Sequence, residues 1–410
     1  MKILYICHRF PFPPKRGGKI RPFNMIKHLN RDHEVTIVSL TRSEAEAKDA
    51  AGIAPHCHRF HAVPVSAVPQ ALRMALRLPT LGPSSFGYFY SPSMAAVVER
   101  LLRSSSYDLI FCHCSSVAQY VADVAAIPKI LDFGDMDSHK WLDYARFKPT
   151  PLNAGFWLEG IKLKREEQRL ARRFDVCTAT TRAEWDTLES YRCANATDWF
   201  PNGVDVDYFA PSHEPYDPDL ISFVGRMDYY PNQEAMFKFC ADVLPLLHKQ
   251  RPQLKLQIVG ADPSPAVRRL ARQQNVTVMG SVPDVRPFLT GSVLLVAPLS
   301  IARGTQNKLL ESMAAGVPVV TSPLAAAGVD AVPGEHLQVA RSPEEYCEAI
   351  LRISTDRVER ARLARSGRER MQSHHNWANS MSKLDAIIER CLSMRKDSQL
   401  RSPHSEEKVA

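Results

Sequence analysis

The 410-residue chain has no apolar run that approaches the roughly 20 residues a membrane span needs. Its first residues, Met1-Lys2-Ile3-Leu4-Tyr5-Ile6-Cys7, hold one lysine and a short apolar stretch. They lack a long hydrophobic region and a small-residue cleavage site, so they read as a first strand rather than a secretion signal. The nine cysteines are scattered and odd in number, which fits a reducing compartment better than a disulfide framework. A cytoplasmic location is therefore expected. Cys112-His113-Cys114 has no second ligand pair downstream, and neighbours on a strand point to opposite faces, so no structural metal is expected. Acids are slightly scarcer than bases, which gives a formal charge of +8. The bases are spread among acids, and no zinc-finger, RRM or helix-turn-helix signature appears, so nucleic acid is not an expected partner. Anionic nucleotides or an acidic membrane surface explain the sign equally well.

A chain this long exceeds one ordinary core and suggests two domains. Hydrophobic content of 45% and charged content of 23% are those of a globular protein. Strands are expected at Lys2–Cys7, Glu34–Leu40, Tyr107–Cys112, Ile127–Asp132 and Val176–Thr180, with helices at Ile20–Leu29 and Leu158–Arg173. The second half repeats the pattern. Its expected strands are Leu220–Val224, Lys255–Val259, Val276–Met279, Val293–Ala297 and Val317–Thr321, with helices at Asn232–Lys249 and Ser264–Gln273. Such alternation predicts parallel, doubly wound α/β sheets. Ligands in such sheets bind beyond the carboxyl ends of the strands. The Pro- and Asp-rich stretch 201–218 reads as a linker, and the sparsely apolar residues 395–410 as a disordered tail.

The segment from Val293 to Ser322 carries the most information. It reads as a buried strand, a glycine turn, a helix and a second buried strand. Gly304 and Thr305 are expected to open the helix, with Leu309 on it. Lys308 and Glu311 sit three apart and so share a helix face. A helix N-terminus beyond a strand end attracts phosphate. Lys308 adds a point charge, and Glu311 can accept hydrogen bonds from a sugar diol. Together they suit a nucleoside diphosphate.

This segment resembles the donor-nucleotide signature of GT-B glycosyltransferases, specifically retaining enzymes of the family 4 type. Gly17-Gly18, Pro201-Asn202-Gly203-Val204-Asp205 and Phe223-Val224-Gly225-Arg226 support the resemblance in the same order along the chain. The run Gly225-Arg226-Met227-Asp228-Tyr229-Tyr230-Pro231-Asn232 looks like a bacterial subgroup associated with exopolysaccharide and exosortase (PEP-CTERM) systems. The resemblance implies two Rossmann-like domains. The first, at 1–205, would serve the acceptor and the second, at 206–375, would bind the donor. A helix at 376–394 would cross back to the first domain. It implies transfer with retention from a nucleoside diphosphate sugar, UDP or GDP, to a glycan or polyprenyl-linked acceptor. No cofactor or metal is implied, because cationic side chains and a helix dipole offset the leaving group's charge.

In the resembled family Arg226 and Lys308 together would stabilise the departing diphosphate, an electrostatic contribution that is often large. Gly17 and Gly18 would lie against the donor phosphate or acceptor, in a loop between the first strand and first helix. Asn202 and Gly203 would bond the donor or form a hinge. His113, at a strand end, would contact the donor sugar; a structural histidine is the other reading. Asp135 would face the acceptor hydroxyl as a proton acceptor, beside the competing reading of a helix-capping loop. Asp135-x-Asp137 and Asp205-x-Asp207 also spell a DxD, a pattern too short to be specific. The sequence departs from the family's E-x7-E pair: Arg303 stands where the first glutamate is expected. The basic helix Ile161–Arg173 could lie peripherally on the inner membrane, but its mixed charge also suits a solvated face. Two alternatives remain at this stage: a GT-B nucleotide-sugar epimerase and a non-catalytic nucleotide-sugar-binding subunit.

Overall fold

The computed structural model describes residues 1–15 and 17–401, the last five by backbone alone. It divides into two compact units, one formed by Met1–Phe200 with the chain from Met381 on, the other by Pro201–Ser380.

The first unit holds a seven-stranded parallel sheet. Its strands are β1 (Lys2–Cys7), β2 (Glu34–Thr41), β3 (Arg59–Pro64), β4 (Leu109–His113), β5 (Lys129–Gly134), β6 (Val176–Ala179) and β7 (Thr197–Trp199), in the order β3-β2-β1-β4-β5-β6-β7. Helices cover both faces, which is why Leu109-Ile110-Phe111-Cys112-His113 is buried along its whole length rather than alternating. The strand order reverses at β1 and β4, whose carboxyl ends, Cys7 and His113, are paired in register. Loops leaving that reversal form the crevice where ligands bind in such sheets.

The second unit repeats the design with six parallel strands: β8 (Asp217–Val224), β9 (Lys255–Val259), β10 (Val276–Gly280), β11 (Ser292–Ala297), β12 (Val319–Thr321) and β13 (Gln338–Val339), in the order β10-β9-β8-β11-β12-β13. Here β8 and β11 form the reversal, and Gly225-Arg226 and the 298–306 loop leave from it. Ile221, Phe223, Leu294 and Leu295 are fully buried between the helical layers.

Several boundaries differ from expectation. Gly17 and Gly18 do not form a loop; they are the first turn of the helix Gly17–Leu29. The expected helix Asn232–Lys249 is Tyr230–Lys238, a π turn at Phe239–Val243, and Leu244–Gln250. Pro245 lacks the N–H that a continuous α-helix needs there. The expected basic helix starts earlier, at Leu152, and runs to Ala171; Lys162, Leu163, Glu167 and Leu170 bury one face, while Arg165, Arg172 and Arg173 are exposed. The last helix, Trp377–Arg401, runs past Met394 through the start of the expected tail. No proline or glycine interrupts it there, and Arg395 bonds the Ala125 carbonyl and lies 3.7 Å from Asp175. The remainder of that expected tail, 402–410, lies outside the described residues. Leu384, Ile387, Ile388 and Cys391 bury one face of this helix, and Asp385 meets His28 at 2.9 Å.

Candidate functional site

In the second unit the site grows from β8 and β11. Phe223 and Val224 end the buried part of β8, and Gly225 follows them. Lys308, in the first turn of the helix Asn307–Ala314, lays its ammonium 4.4 Å above the Phe223 ring and donates to Asn232 Oδ1 at 2.7 Å. Asn232 Nδ2 donates in turn to the Arg226 carbonyl at 2.8 Å. The cation is thus held by a neutral amide and an aromatic face. Gly225 is required beside it, because a Cβ there would stand 2.8 Å from Asn232 Nδ2 and 3.0 Å from Lys308 Nζ. Desolvation lowers the Lys308 ammonium to about 7, against the opposing charge of Glu311. Desolvation likewise raises the Glu311 carboxyl to about 7, and Lys308 pulls the other way. Two half-buried groups that titrate near neutrality face one site.

Gly304 and Thr305 do not open the helix. They lie in the turn before it, where Gly304 adopts φ +60, a conformation that side chains disfavour. The Thr305 hydroxyl is buried without a protein partner, which is costly unless a ligand or water supplies one. Leu309 is fully buried in the core and its N–H bonds the Gln306 carbonyl, so it packs rather than reaches outward. Arg303 is half-buried in the same turn. Asn202 Nδ2 donates to Asn307 Oδ1 at 3.3 Å, which ties the 202–205 segment to that turn. Gly203 packs so closely that a Cβ would stand 2.6 Å from the Trp377 backbone nitrogen.

The Arg226 side chain is engaged in an ion-pair cluster. Its guanidinium bonds both oxygens of Asp228, at 3.0 and 2.5 Å, and Asp262 at 2.8 Å. In the expected DxD at Asp205-x-Asp207, Asp205 Oδ1 accepts from the Asp207 and Tyr208 backbone, a turn rather than a cation seat. Among the described residues no three His, Cys, Asp or Glu side chains cluster as metal ligands do.

In the first unit the carboxyl ends of β4 and β5 carry a buried polar cluster. His113 Nδ1 meets Asp132 Oδ2 at 2.8 Å. Arg21 donates to both Asp132 oxygens, at 2.9 and 3.1 Å, and Thr178 donates to Oδ1 at 2.9 Å. Burial alone pushes the Asp132 carboxyl up, but Arg21 and His113 outweigh it and hold it well below the usual carboxylate range. The His8 ring lies 5.9 Å from that of His113, its buried Nδ1 has no partner, and burial keeps it neutral. Asp135 follows Gly134, whose φ is +70, and accepts from the Thr180 hydroxyl at 3.2 Å. Burial and the neighbouring Asp135 raise the Asp137 carboxyl, with Lys140 and Arg9 opposing.

Two family models and several solved structures resemble this chain. A sequence model described as Glycosyltransferase Family 4 matches residues 16–208, and one described as Glycosyl transferases group 1 matches 218–356. The chain is a GT-B glycosyltransferase. Solved structures share its fold at low identity. HepE of Anabaena, in complex with UDP, is 15% identical with a TM-score of 0.68, over 95% of this chain and all of its own. A sucrose-phosphate synthase from Thermosynechococcus elongatus is 16% identical with a TM-score of 0.70, over 96% of this chain and all of its own. Staphylococcus aureus TarM, solved with fondaparinux, α-GlcNAc-glycerol and UDP, is 11% identical with a TM-score of 0.64, over 94% of this chain and 99% of its own. No curated protein sequence matches significantly.

Three residues of this glycosyltransferase, Asn232, Arg21 and His375, escaped the sequence reading. Asn232 was visible only as part of a run, yet it holds Lys308. Asp132 and Arg21 are 111 positions apart and no local pattern pairs them. His375 is buried and bridges the chain: it accepts from the Asp330 N–H at 3.0 Å through Nε2, so Nδ1 carries the proton that bonds the Asn202 carbonyl at 3.0 Å. No helix among the described residues is long and apolar enough to cross a membrane.

Proposed function

We propose that this glycosyltransferase moves a sugar from a nucleoside diphosphate sugar, with UDP or GDP as the nucleotide, to a glycan or polyprenyl-linked acceptor, with retention. The second unit takes the donor and the first the acceptor. The observation that carries the reading is Lys308: a half-buried ammonium, positioned by Asn232 and beside the unpartnered Thr305 hydroxyl, at the strand ends where such sheets bind nucleotides. HepE and TarM were each solved with UDP, which favours that nucleotide.

In the proposed step the bond between the sugar's anomeric carbon and the β-phosphate oxygen breaks, and its electron pair stays on the phosphate. Lys308 offsets that charge. The acceptor oxygen bonds the anomeric carbon on the same face, and its proton passes to Asp135 or to the departing phosphate. Glu311 accepts from the ribose diol, His113 touches the donor sugar, and Gly17, Gly18, Asn202, Gly203, Gly304 and Thr305 line the donor. No metal takes part. Arg226 joins only by exchanging Asp228 or Asp262 for phosphate, and that engagement is what speaks for the non-catalytic alternative. The biological product we assign is an exopolysaccharide, built on a lipid carrier at the cytoplasmic face of the membrane.

The test is thermal stabilisation by UDP-, GDP-, ADP- and dTDP-sugars, followed by transfer assays with the class that binds. Ligand that binds the native state raises the melting temperature. A shift with one class that Lys308→Ala abolishes supports the donor site. Binding with neither transfer nor hydrolysis across an acceptor panel overturns the enzyme reading in favour of a binding subunit.

A further inference from the structure

Two arginines leave the neighbouring carboxyl ends of β1 and β2. Arg9 stands two positions after Cys7, and Arg42 directly follows Thr41, the last residue of β2. The Phe10 N–H donates to the Leu40 carbonyl at 3.1 Å, which holds the loop after β1 against β2. The Arg42 guanidinium lies over two aromatic rings, 4.6 Å from the centre of Tyr88 and 4.8 Å from that of Phe89. His8 meets the same Phe89 ring edge-on at 5.5 Å, so both groups gather around Phe89. The aromatic segment is pinned from both ends. Glu159 accepts from the Ser84 and Ser85 N–H groups at 2.9 and 2.8 Å, and the Tyr120 hydroxyl donates to the Phe89 carbonyl at 2.8 Å. Between them Gly87 packs against the helix Ala67–Arg77, where a Cβ would stand 2.5 Å from the Arg73 carbonyl oxygen. Arg42 therefore rests on a fixed platform.

What the Arg42 guanidinium lacks is an acid. Its Nε and Nη2 are buried without a partner among the described residues, and so is His8 Nδ1. Buried charged donors left unmet are costly, and each calls for a partner that the protein does not supply. Glu46 is the carboxylate whose charge reaches Arg42, but both its oxygens are engaged. Oε2 accepts from Arg42's own backbone N–H at 2.7 Å, and Oε1 pairs with Lys19 at 2.5 Å. Burial lowers the Arg42 value and Arg9 adds to that, with Tyr88 and Glu46 opposing. Arg9 itself is exposed, and a Cβ at Gly18 would stand 3.7 Å from its Cδ, so its side chain crosses the start of the first helix. Its charge reaches Asp137, a carboxyl that Lys140 also serves.

Two cations whose charges reinforce each other, one of them on a rigid platform, make a seat for an anion. A guanidinium bonds phosphate or carboxylate oxygens through a fork, and a fork held in place loses little freedom on binding. Two arginines suit the nearly double charge of a phosphate better than the single charge of a carboxylate. In the strand order β2 lies two spacings, about 10 Å, from β4, which carries His113. We propose that Arg42 and Arg9 bind a phosphate or diphosphate carried by the acceptor, set apart from the hydroxyl that reacts. The inference rests on the reading that the first unit serves the acceptor, and it names the chemistry that the acceptor must bear.

The test is calorimetric titration of the full chain with geranyl diphosphate, inorganic pyrophosphate and geraniol, with no nucleotide present. All variants are made on a Lys308→Met background, so that a diphosphate held at the donor site does not report. Stabilisation of the wild type by nucleotide sugars is measured separately, so failure of the donor reading and failure of this one are told apart. Both diphosphates are expected to bind and geraniol is not. Arg42→Met should weaken the diphosphates by about tenfold or more, the worth of one charged hydrogen bond. Its melting temperature should hold or rise, because a buried cation with unmet donors does not support the fold. Arg42→Lys, which keeps the charge and loses the fork, and Arg9→Met, at an exposed position, should each weaken binding by less. Tighter binding of geranyl diphosphate than of pyrophosphate assigns the anion to a lipid-linked acceptor, and equal binding assigns it to a phosphate on a soluble one. Absence of binding by either diphosphate overturns the proposal. So does a fall in the melting temperature of Arg42→Met with affinity unchanged, which gives Arg42 to the fold alone. Should Arg42→Met not fold, unchanged affinity in both Arg42→Lys and Arg9→Met overturns it equally.

Discussion

Arg21 meets Asp132 through two parallel hydrogen bonds, Nε to Oδ2 at 2.9 Å and Nη2 to Oδ1 at 3.1 Å, with both side chains buried. The pair links the first helix to the end of β5, and Arg21 Nη1 also reaches the Phe200 carbonyl at 2.9 Å. His113 hangs from the same carboxylate, so the pair orients the ring that we place against the donor sugar. Removing Arg21 leaves a buried carboxylate with too few partners. Arg21→Met is expected to cost about 3–5 kcal/mol of unfolding free energy. The pH dependence has a definite sign. Asp132's folded value is depressed, so its contribution is present above an unfolded value of about 3.9 and is lost as pH falls through the folded value. The gap between wild type and variant in denaturant titrations should therefore narrow in acid below about pH 4. Equal stability at pH 7 would remove the pair's structural role.

Lys308 and Glu311 both sit near 7, displaced from opposite sides by desolvation. A bound diphosphate raises Lys308's value, so its share of the affinity is full below about 7 and fades as pH rises through the value in the complex. A ribose diol bonded to Glu311 lowers that group's value, so its share is present above about 7 and fades as pH falls. Affinity for the best-binding nucleotide sugar is expected to peak near neutrality, with limbs no steeper than about one log unit per pH unit. The two groups titrate as a coupled pair. Lys308→Met should flatten the alkaline limb and lower kcat by about 10²–10³, the loss typical of one charge-stabilising donor. Calorimetric titration between pH 5.5 and 9 reads this out, and an unchanged alkaline limb in the variant would sink it.

The central strands were legible because burial on both faces writes a continuous apolar run. Lys255–Val259 was read to the residue, and Val293–Ala297 and Glu34–Leu40 to within one. The missed strands, Arg59–Pro64, Thr197–Trp199 and Gln338–Val339, all lie at sheet edges, are short or half-buried, and so carry no such run. The helix Ala67–Arg77 escaped because its apolar stripe lies among prolines and faces outward. At the site, Lys308 and Glu311 followed from helix spacing. Gly304 and Thr305 were placed one turn late, since nothing in the sequence marks the left-handed glycine that delays the helix. Arg226's engagement with Asp228 was within reach, two positions away, but Asp262 was not. Asn232 and Asp132 matter through partners distant in sequence, and one sequence alone does not write such pairs.

Gly225 and Gly260 separate function from folding. A Cβ at Gly225 meets the movable ends of Asn232 and Lys308, at 2.8 and 3.0 Å, whereas a Cβ at Gly260 stands 1.8 Å from the Gly225 carbonyl oxygen. Side-chain ends can yield and backbone cannot. Gly225→Ala is expected to displace the Lys308 ammonium, weakening nucleotide-sugar binding about tenfold while changing stability by less than about 1 kcal/mol. Gly260→Ala should lose more than about 3 kcal/mol, because two strand ends must part. Denaturant melts and binding isotherms of the two variants test this together. Similar stability losses in both would show that the Gly225 position is rigid and that its glycine serves packing alone.

Arg303 stands eight positions before Glu311, where the resembled family carries the first glutamate of its pair, which often contacts the donor sugar. A cation there favours a different set of sugar hydroxyls, or an acidic sugar, without touching the base or ribose. Arg303→Glu is therefore expected to reorder the preference among sugars that share one nucleotide, with acidic sugars losing most, since a carboxylate then faces a carboxylate. The choice of nucleotide should stay as it was, because Lys308 and Glu311 are untouched. Stability should change by no more than about 0.5–1 kcal/mol, as is usual for a half-exposed loop position. Competition binding with a panel of sugars on the preferred nucleotide reads the ranking directly. An unchanged ranking in a well-folded variant would move sugar selection away from Arg303 and onto the first unit, where His113 is the next residue to replace.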